Sequence, residues 1–329
     1  AERGVALKTE DDGRMFPVTD DSSTIVDCLR GAAREAGVEV LTRKAVTALD
    51  CTDGGLLVHT ADGDLPAHAV LLATGGQTTA SGSGRNPGGF DLARALGHTI
   101  VDPVPSLFTF RCQDPLLKDL AGVATEARVA VAERPRGRSD LVQDGPVLIT
   151  HRGLSGPAIL KLSAWGARDL QKRFYAFPLA VDWLPGIHDQ DLDNALNDRG
   201  REIGKQQVGA TPLPPLPRRL WAALVDRAGI EADTRWADLG RTPRRDLVRT
   251  LKDTRLAIHG QDTFKDEFVT CGGVKRDEID WRTMESKRQP GLFLAGEVLD
   301  IDGVTGGFNF QACWTTGRLA GLGMTRSER

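Results

Sequence analysis

The chain has 329 residues, 40% hydrophobic and 26% charged, and its 42 Lys and Arg against 45 Asp and Glu leave a formal net charge of −3. That length can bury a large core and suits two or three domains, while the near balance of charge gives no basic field for nucleic acid or an anionic membrane. Five scattered cysteines, none in Cys-x-x-Cys spacing, argue against a disulfide framework or a zinc site and for a reducing, cytoplasmic setting, and no apolar run nears the roughly 20 residues that span a bilayer.

Gly13-Arg14-Met15-Phe16-Pro17 leads into a helix that Asp20, Asp21 or Ser22 caps. Ile25, Leu29, Ala32, Ala33 and Ala36 give that helix one apolar face, and Gly37 ends it. Residues 38–41 and 45–49 read as short strands. Residues 54–59 and 65–72 read as a strand pair about the Ala61-Asp62-Gly63 turn. The second of these runs into Ala73-Thr74-Gly75-Gly76, whose glycines admit a backbone approach that a Cβ would block. Gly82-Ser83-Gly84-Arg85-Asn86-Pro87-Gly88 follows a loop, has GxGxxxG spacing and carries a proline where a helix would begin. It therefore reads as a loop, and no strand–GxGxxG–helix unit is found. Residues 89–96 form a short amphipathic helix closed by Gly97, which leaves His98 as a structural residue at its end.

Prolines at 103 and 105 mark a crossing into a second unit. Residues 106–111, 124–132, 147–150 and 174–183 alternate or run apolar over strand lengths, with 134–144 as an exposed hairpin tip. In Thr150-His151-Arg152-Gly153-Leu154-Ser155-Gly156-Pro157, Ser155 is expected to cap a helix that Pro157 opens. Residues 185–201 start a further helix pair. Thr211-Pro212-Leu213-Pro214-Pro215-Leu216-Pro217 is a semi-rigid connector. Short helices follow over 218–228, 234–239 and 242–254; their Arg241, Arg244, Arg245 and Arg249 are interspersed with acids, as on a solvated face.

Val269-Thr270-Cys271-Gly272-Gly273-Val274 returns the chain to its first unit. Residues 292–295 then form a short buried strand, Gly296-Glu297 stops it, a Gly-rich loop follows, and a helix starts near Phe308 with small residues at Ala312, Gly317, Ala320 and Gly321. A helix N-terminus carries about half a positive charge and several unpaired donors. Preceded by glycines, it suits an anion or an electron-accepting ring.

Ala295-Gly296-Glu297, followed by Gly306-Gly307-Phe308-Asn309, resembles the second FAD-contacting motif of two-dinucleotide-binding-domain flavoproteins. With the Thr150–Pro157 and Val269–Val274 strings and Thr283-Met284-Glu285-Ser286-Lys287, the chain resembles the HI0933-like (YhiN/BaiN-type) family of FAD-dependent oxidoreductases. These motifs run from Gly13 to Gly321. The resemblance implies an α/β fold: a discontinuous FAD-binding Rossmann-like domain (1–104 and 266–329) with a β-rich substrate module (105–187) and a helical module (188–265) inserted. It implies FAD as cofactor, NAD(P)H as a candidate electron donor and a small-molecule substrate, an enone among the candidates, with neither nucleic acid nor membrane as partner. Val46 would offer a backbone contact to adenine, and Ala73, Thr74, Gly75 and Gly76 would lie beside the cofactor. Gly296 and Glu297 would face a ribityl or ribose hydroxyl. The amides of Gly306, Gly307, Phe308 and Asn309, after the turn at Gly303, would face the flavin N1–C2=O edge. The side chains of Asn309 and Gln311 would add amide contacts, while Asp300 and Asp302 would shape the loop. His151 is the candidate proton donor. Cys271 reads as a small core residue or a redox thiol. The family carries its GxGxxG unit ahead of the Gly13–Pro17 segment, so the chain reads as truncated. The alternative expectation is a non-catalytic fragment that cannot hold FAD by itself.

Overall fold

A computed structural model describes residues 3–11, 13–76, 88–132, 141–262 and 269–327. In chain order the first stretch holds β1 (Leu7–Thr9), β2 (Met15–Pro17), α1 (Ser23–Glu35), β3 (Val46–Thr52), β4 (Gly55–Thr60), β5 (Gly63–Ala67), β6 (Val70–Leu72), α2 (Gly89–Ala95) and β7 (Ile100–Ser106). The middle holds β8 (Thr109–Arg111), β9 (Ala124–Val131), β10 (Val142–Thr150), β11 (Gly153–Ser155), α3 (Pro157–Lys172), β12 (Ala176–Asp182), α4 (Asp189–Glu202), α5 (Arg218–Arg227), α6 (Arg241–Lys252), β13 (Thr254–His259) and β14 (Gln261–Asp262). The chain returns as β15 (Val269–Val274), β16 (Ile279–Asp280), β17 (Glu285–Ser286), β18 (Leu292–Leu294) and α7 (Phe308–Ser327). The fold is mixed α/β and Rossmann-like.

The strand that carries the site is short and wholly apolar. Leu292, Phe293 and Leu294 of β18 have no solvent exposure, which a strand achieves only when both faces of its sheet are covered. It lies parallel to β6, Leu292 opposite Val70 and Leu294 opposite Leu72, in a sheet of order β16-β17-β18-β6. One side is covered by α7. The residue that lets the helix come down is Gly323, where a Cβ would run into the Thr283 carbonyl and the Phe293 ring. Gly317 and Gly321, expected to serve close packing, have open space around them. The expected strand over 65–72 is two strands: β5 joins the β3-β4-β5 meander, and apolar β6 leaves it for the buried sheet.

Near the start, Ser22 is the N-cap of α1 and its side chain makes no capping bond; the Asp21 carboxylate accepts the Ser23 N–H at 2.8 Å just before the helix, and Gly37 at φ +72° follows its end. The apolar face of α1 contains no buried residue. Residues 38–41, expected as a strand, pair with nothing regular among the described residues; Val40 is 71% exposed there. A strand without a partner leaves its backbone groups to water and has no reason to hold.

The middle of the chain builds its own core. Seven strands form an antiparallel sheet of order β13-β12-β9-β10-β11-β8-β14, and α3 packs on it through Ala158, Ile159, Leu162 and Leu170. Ser155 does not cap this helix, because it belongs to β11. The cap is Gly156 at φ +98°, where a Cβ would meet the Pro146 oxygen at 2.7 Å. Leu192 and Leu196 of α4, Leu220 and Trp221 of α5, and Leu247 and Leu251 of α6 join the same core. The expected helix over 242–254 stops at Lys252. The segment after it, read only as part of a helical stretch, supplies β13 and β14 at the two edges of the sheet. The expected hairpin tip lies partly outside the described residues.

The two cores meet at an antiparallel pair, β7 with β15, running from Val269 opposite Ser106 to Val274 opposite Ile100, with α3 packed against both strands. Here the chain leaves the first unit and re-enters it. A bulge falls at Gly272, whose φ of +121° and closeness to the Asp102 oxygen (2.6 Å from an added Cβ) leave no room for a side chain.

Candidate functional site

Three chain segments converge where β18 ends. The Ala295 N–H donates to the Leu72 oxygen at 3.0 Å, so the parallel pairing persists one residue beyond the strand. Gly296 then turns at φ +76°, and its N–H donates to Thr316 Oγ1 of α7 at 2.9 Å. Glu297 follows in a single 3-10 turn. Its carboxylate accepts the Thr270 N–H of β15 at 3.2 Å and also the Gly76 N–H from the segment after β6. Burial pushes the Glu297 carboxyl up from its ordinary range, and the two amides pull against that shift. A side chain at Gly76 would run into Thr270. The Gly76 amide thus stands beside Glu297. Ala73 and Thr74 lead out of β6, and Val46 opens β3 opposite Thr60.

The loop after this turn is tied down from within. The Asp300 N–H donates to the Val274 oxygen at 3.0 Å. Asp302 accepts the Ser106 hydroxyl at 2.9 Å and hydrogen-bonds the Cys271 thiol. Burial, more than the neighbouring acids, pushes Asp302 up, and burial followed by the Asp302 charge pushes Cys271 up to about 11. A thiol so placed stays protonated at neutral pH and is a poor nucleophile, and every cysteine is free. The structure gives no support to a redox thiol at Cys271.

Gly303 is clamped by one side chain. Its N–H donates to Asn309 Oδ1 at 2.8 Å, and Asn309 Nδ2 donates to the Gly303 oxygen at 3.0 Å. The carboxamide expected to reach outward is therefore engaged in shaping the loop. Gln311 Nε2 donates to Thr315 Oγ1 at 3.1 Å along the helix surface. Gly306 (φ +122°) and Gly307 (φ +87°) then lead into α7. Among the described residues, the amides of Gly306, Gly307, Phe308 and Asn309 find no acceptor in the chain; the first bond of the helix is Gln311 N–H to the Gly307 oxygen at 2.9 Å. Beside them Phe308 is exposed, and Phe310 stacks on Trp314 with centroids 6.1 Å apart. Unpartnered amides leading into a 20-residue helix stabilise negative charge by about 1–2 kcal/mol.

His151 lies elsewhere. It occupies the exposed turn between β10 and β11 and makes no hydrogen bond or ion pair with the 296–309 loop. The register sets Arg111 opposite Gly153, so the turn is at the hairpin end away from the entry of β8. Its expected part as proton donor has no geometric support. His98 is buried between Glu278 and Ser286, the structural residue it was expected to be. The Gly82–Gly88 reading lies outside the described residues except for Gly88, which precedes α2. Sequence reasoning missed Thr270, Thr316 and Ser106, small polar residues with no local signature that join the loop only through the fold. Among the described residues, no His, Cys, Asp and Glu are grouped to hold a metal ion, and no helix is long and apolar enough to cross a membrane.

The chain is 32% identical to the 3-dehydro-bile acid delta(4,6)-reductase of Clostridium scindens, over 94% of its own length and 75% of that protein. It is 30% identical to the ribosomal RNA dihydrouridine synthase of Escherichia coli, over 95% of the chain and 74% of that protein. It is 27% identical to the enzyme of that name from Haemophilus influenzae, over 99% and 78%. The model of the HI0933-like protein Rossmann domain matches residues 1–323. A match of that extent, over a parallel β6–β18 pair that opens into a glycine turn and a helix with bare amides, means that the chain belongs to the HI0933-like family.

Proposed function

We propose that this chain is the catalytic polypeptide of an FAD-dependent oxidoreductase that saturates a carbon–carbon double bond conjugated to a carbonyl in a small organic substrate, with NAD(P)H as the electron source. The observation that carries the reading is the row of four unpartnered amides at the N-terminus of α7. The residues present fit the isoalloxazine end of a flavin. Gly306 and Gly307 expose backbone without side chains, and Glu297 keeps acceptor capacity beyond its two amide donors, since a carboxylate has about four acceptor sites. Bound there, FAD supplies hydride transfer. The amides stabilise negative charge at the edge they face, Asn309 keeps Gly303 in register with them, and Glu297 orients a hydroxyl of the cofactor chain. The names of the relatives support the reaction class: a delta(4,6)-reductase and a dihydrouridine synthase both saturate a double bond.

Those names also favour a second reading, in which the double bond belongs to a uridine in RNA. The net charge of −3 weighs against it. Both are tested by mixing the protein with FAD, removing free flavin by gel filtration, and following NADH or NADPH oxidation with a conjugated ring ketone or with unmodified ribosomal RNA. Retained flavin and turnover of the ketone alone is the expected result. Turnover of RNA alone moves the substrate to the second reading. A colourless protein overturns the flavin reading for this chain and leaves the fragment that cannot hold FAD.

A further inference from the structure

We infer that Asp302 is a positioning residue whose carboxylate takes up a proton when negative charge arrives at the amides of Gly306, Gly307, Phe308 and Asn309, and that it thereby sets the reduction potential of the group held there. The inference rests on the flavin reading above.

The geometry comes first. Asp302 directly precedes Gly303, and a Cβ on Gly303 would lie 2.9 Å from Phe308 Cβ. Its backbone is thus one residue from the first turn of α7, and the path through Gly303 and Phe308 keeps its carboxylate within about 13 Å of the Phe308 amide. It cannot swing away. Ser106, which is fully buried in β7, donates to Oδ2 at 2.9 Å, and Cys271 holds it from β15. Among the described residues, the charged and titratable groups around it are few. Asp300 comes from the same loop and Glu297 from the preceding turn; Cys271 faces it from β15 and Arg168 from α3. Arg168 lies 3.8 Å from Asp300 and also donates to the Asp102 oxygen at 3.0 Å, while Arg276 reaches Asp300 at 4.0 Å. Three acids share this corner, and neither guanidinium is in an ion pair with Asp302.

A carboxylate in that position responds to added charge. Burial already favours its protonated form, while the Ser106 and Cys271 donors favour the ionised one. When two electrons and one proton enter the flavin from the reductant and solvent, one negative charge remains on the ring. A second proton from solvent then binds Asp302, and the net charge of the loop is unchanged. At an effective dielectric of about 20, a unit charge about 13 Å away changes proton affinity about tenfold, or about one pH unit.

The test is the midpoint potential of the FAD-loaded protein, measured by dye-coupled reduction across the pH range in which it stays folded. One proton per two electrons corresponds to about 30 mV per pH unit. The wild-type protein is expected to show twice that slope over about one pH unit around the Asp302 titration. Asp302→Asn should keep the single-proton slope throughout and, above the window, have a potential about 30 mV higher, the equivalent of a tenfold change. Ser106→Ala removes a donor to the ionised carboxylate and should move the window up by about one pH unit. It also serves if the Asp302 variant does not load. A two-proton window that survives in Asp302→Asn, or that stays in place in Ser106→Ala, overturns the inference while the flavin reading stands. A wild-type protein that retains no FAD overturns both.

Discussion

At the scale of single residues, His98 shows how the first unit is pinned. Gly97 turns the chain out of α2 at φ +86°, and the fold then closes over the imidazole, which is 3% exposed. Nδ1 meets Glu278 Oε2 at 2.9 Å and Nε2 meets Ser286 Oγ at 2.8 Å. The arrangement has the outline of a serine–histidine–acid relay. The serine, however, is buried and already accepts the N–H groups of Arg288 (3.0 Å) and Gln289 (2.9 Å), so a substrate has no way to it. His98→Ala breaks both bonds and leaves a buried carboxylate short of a partner; it should lower stability by about 2–4 kcal/mol, read as a lower urea midpoint at unchanged slope. Glu278 also gives this unit a pH dependence. Burial alone would raise its carboxyl, but the Thr99 amide, His98 and Arg288 outweigh burial and hold it at about 2. A carboxylate depressed on folding stabilises the native state above the ordinary carboxylate range, and that contribution is lost as pH falls towards 2. The urea midpoint should therefore decline from about pH 5 downward, and Glu278→Gln should flatten the decline. An equal slope in the variant would assign the acid sensitivity to other carboxylates.

At the scale of elements, the passage from β18 into α7 was legible because its signals are local: an apolar run, a glycine stop, a glycine-rich loop and a helix start within one short stretch. What was not legible is which groups that loop consumes internally. Asn309 is as good a ligand donor as a loop clamp by sequence, and only the folded turn assigns it to Gly303. Helix α1 makes the same point in reverse: its periodicity gave the element, but not whether the apolar face is buried. The glycines of this passage separate by what surrounds them. A methyl group at Gly303 meets Phe308 Cβ, an atom fixed to the helix backbone, so loop and helix must part and the Asn309 clamp breaks. Gly303→Ala should weaken FAD binding at least about tenfold, through misplacement of the amides, in a fluorescence titration, while the thermal midpoint changes little. Gly321→Ala, on the exposed side of α7 with nothing within 4 Å, should leave FAD affinity alone and stabilise the helix by about 0.5–1 kcal/mol. If the two variants weakened FAD binding equally, the loop geometry would not be what controls it.

At the scale of the molecule, two apolar clusters share no residue, and the strands 254–262 show why their extent was hard to read. Thr254, Leu256 and Ile258 alternate with exposed neighbours, a period-2 pattern, yet the pattern begins two residues beyond α6 and its partner β12 lies far back in the chain. Nothing within a six-residue window announces that return. The larger cluster takes in the sheet β13-β12-β9-β10-β11-β8-β14 with α3 to α6, and the smaller gathers around β6, β18 and α7. Between them stand the β7–β15 ladder, the packing of α3 on both of its strands, and the bonds of Arg168 to Asp102 and Asp300. Because each unit has its own apolar cluster, the two should unfold separately, and the tryptophans can report it. Trp183, Trp221 and Trp236 are buried in the larger cluster, whereas Trp281 and Trp314 of the smaller unit are 40% and 55% exposed. Urea titration followed by fluorescence should therefore track the larger unit. Far-ultraviolet circular dichroism should show an additional, earlier transition, because α1 contributes no buried side chain to the smaller one. FAD at about one hundred times its dissociation constant should stabilise only that earlier transition, by about 2.7 kcal/mol. Coincident curves from the two probes, moving together on FAD addition, would mean that the ladder couples the units into one cooperative whole and that the inserted sheet cannot shift relative to the cofactor site without unfolding it.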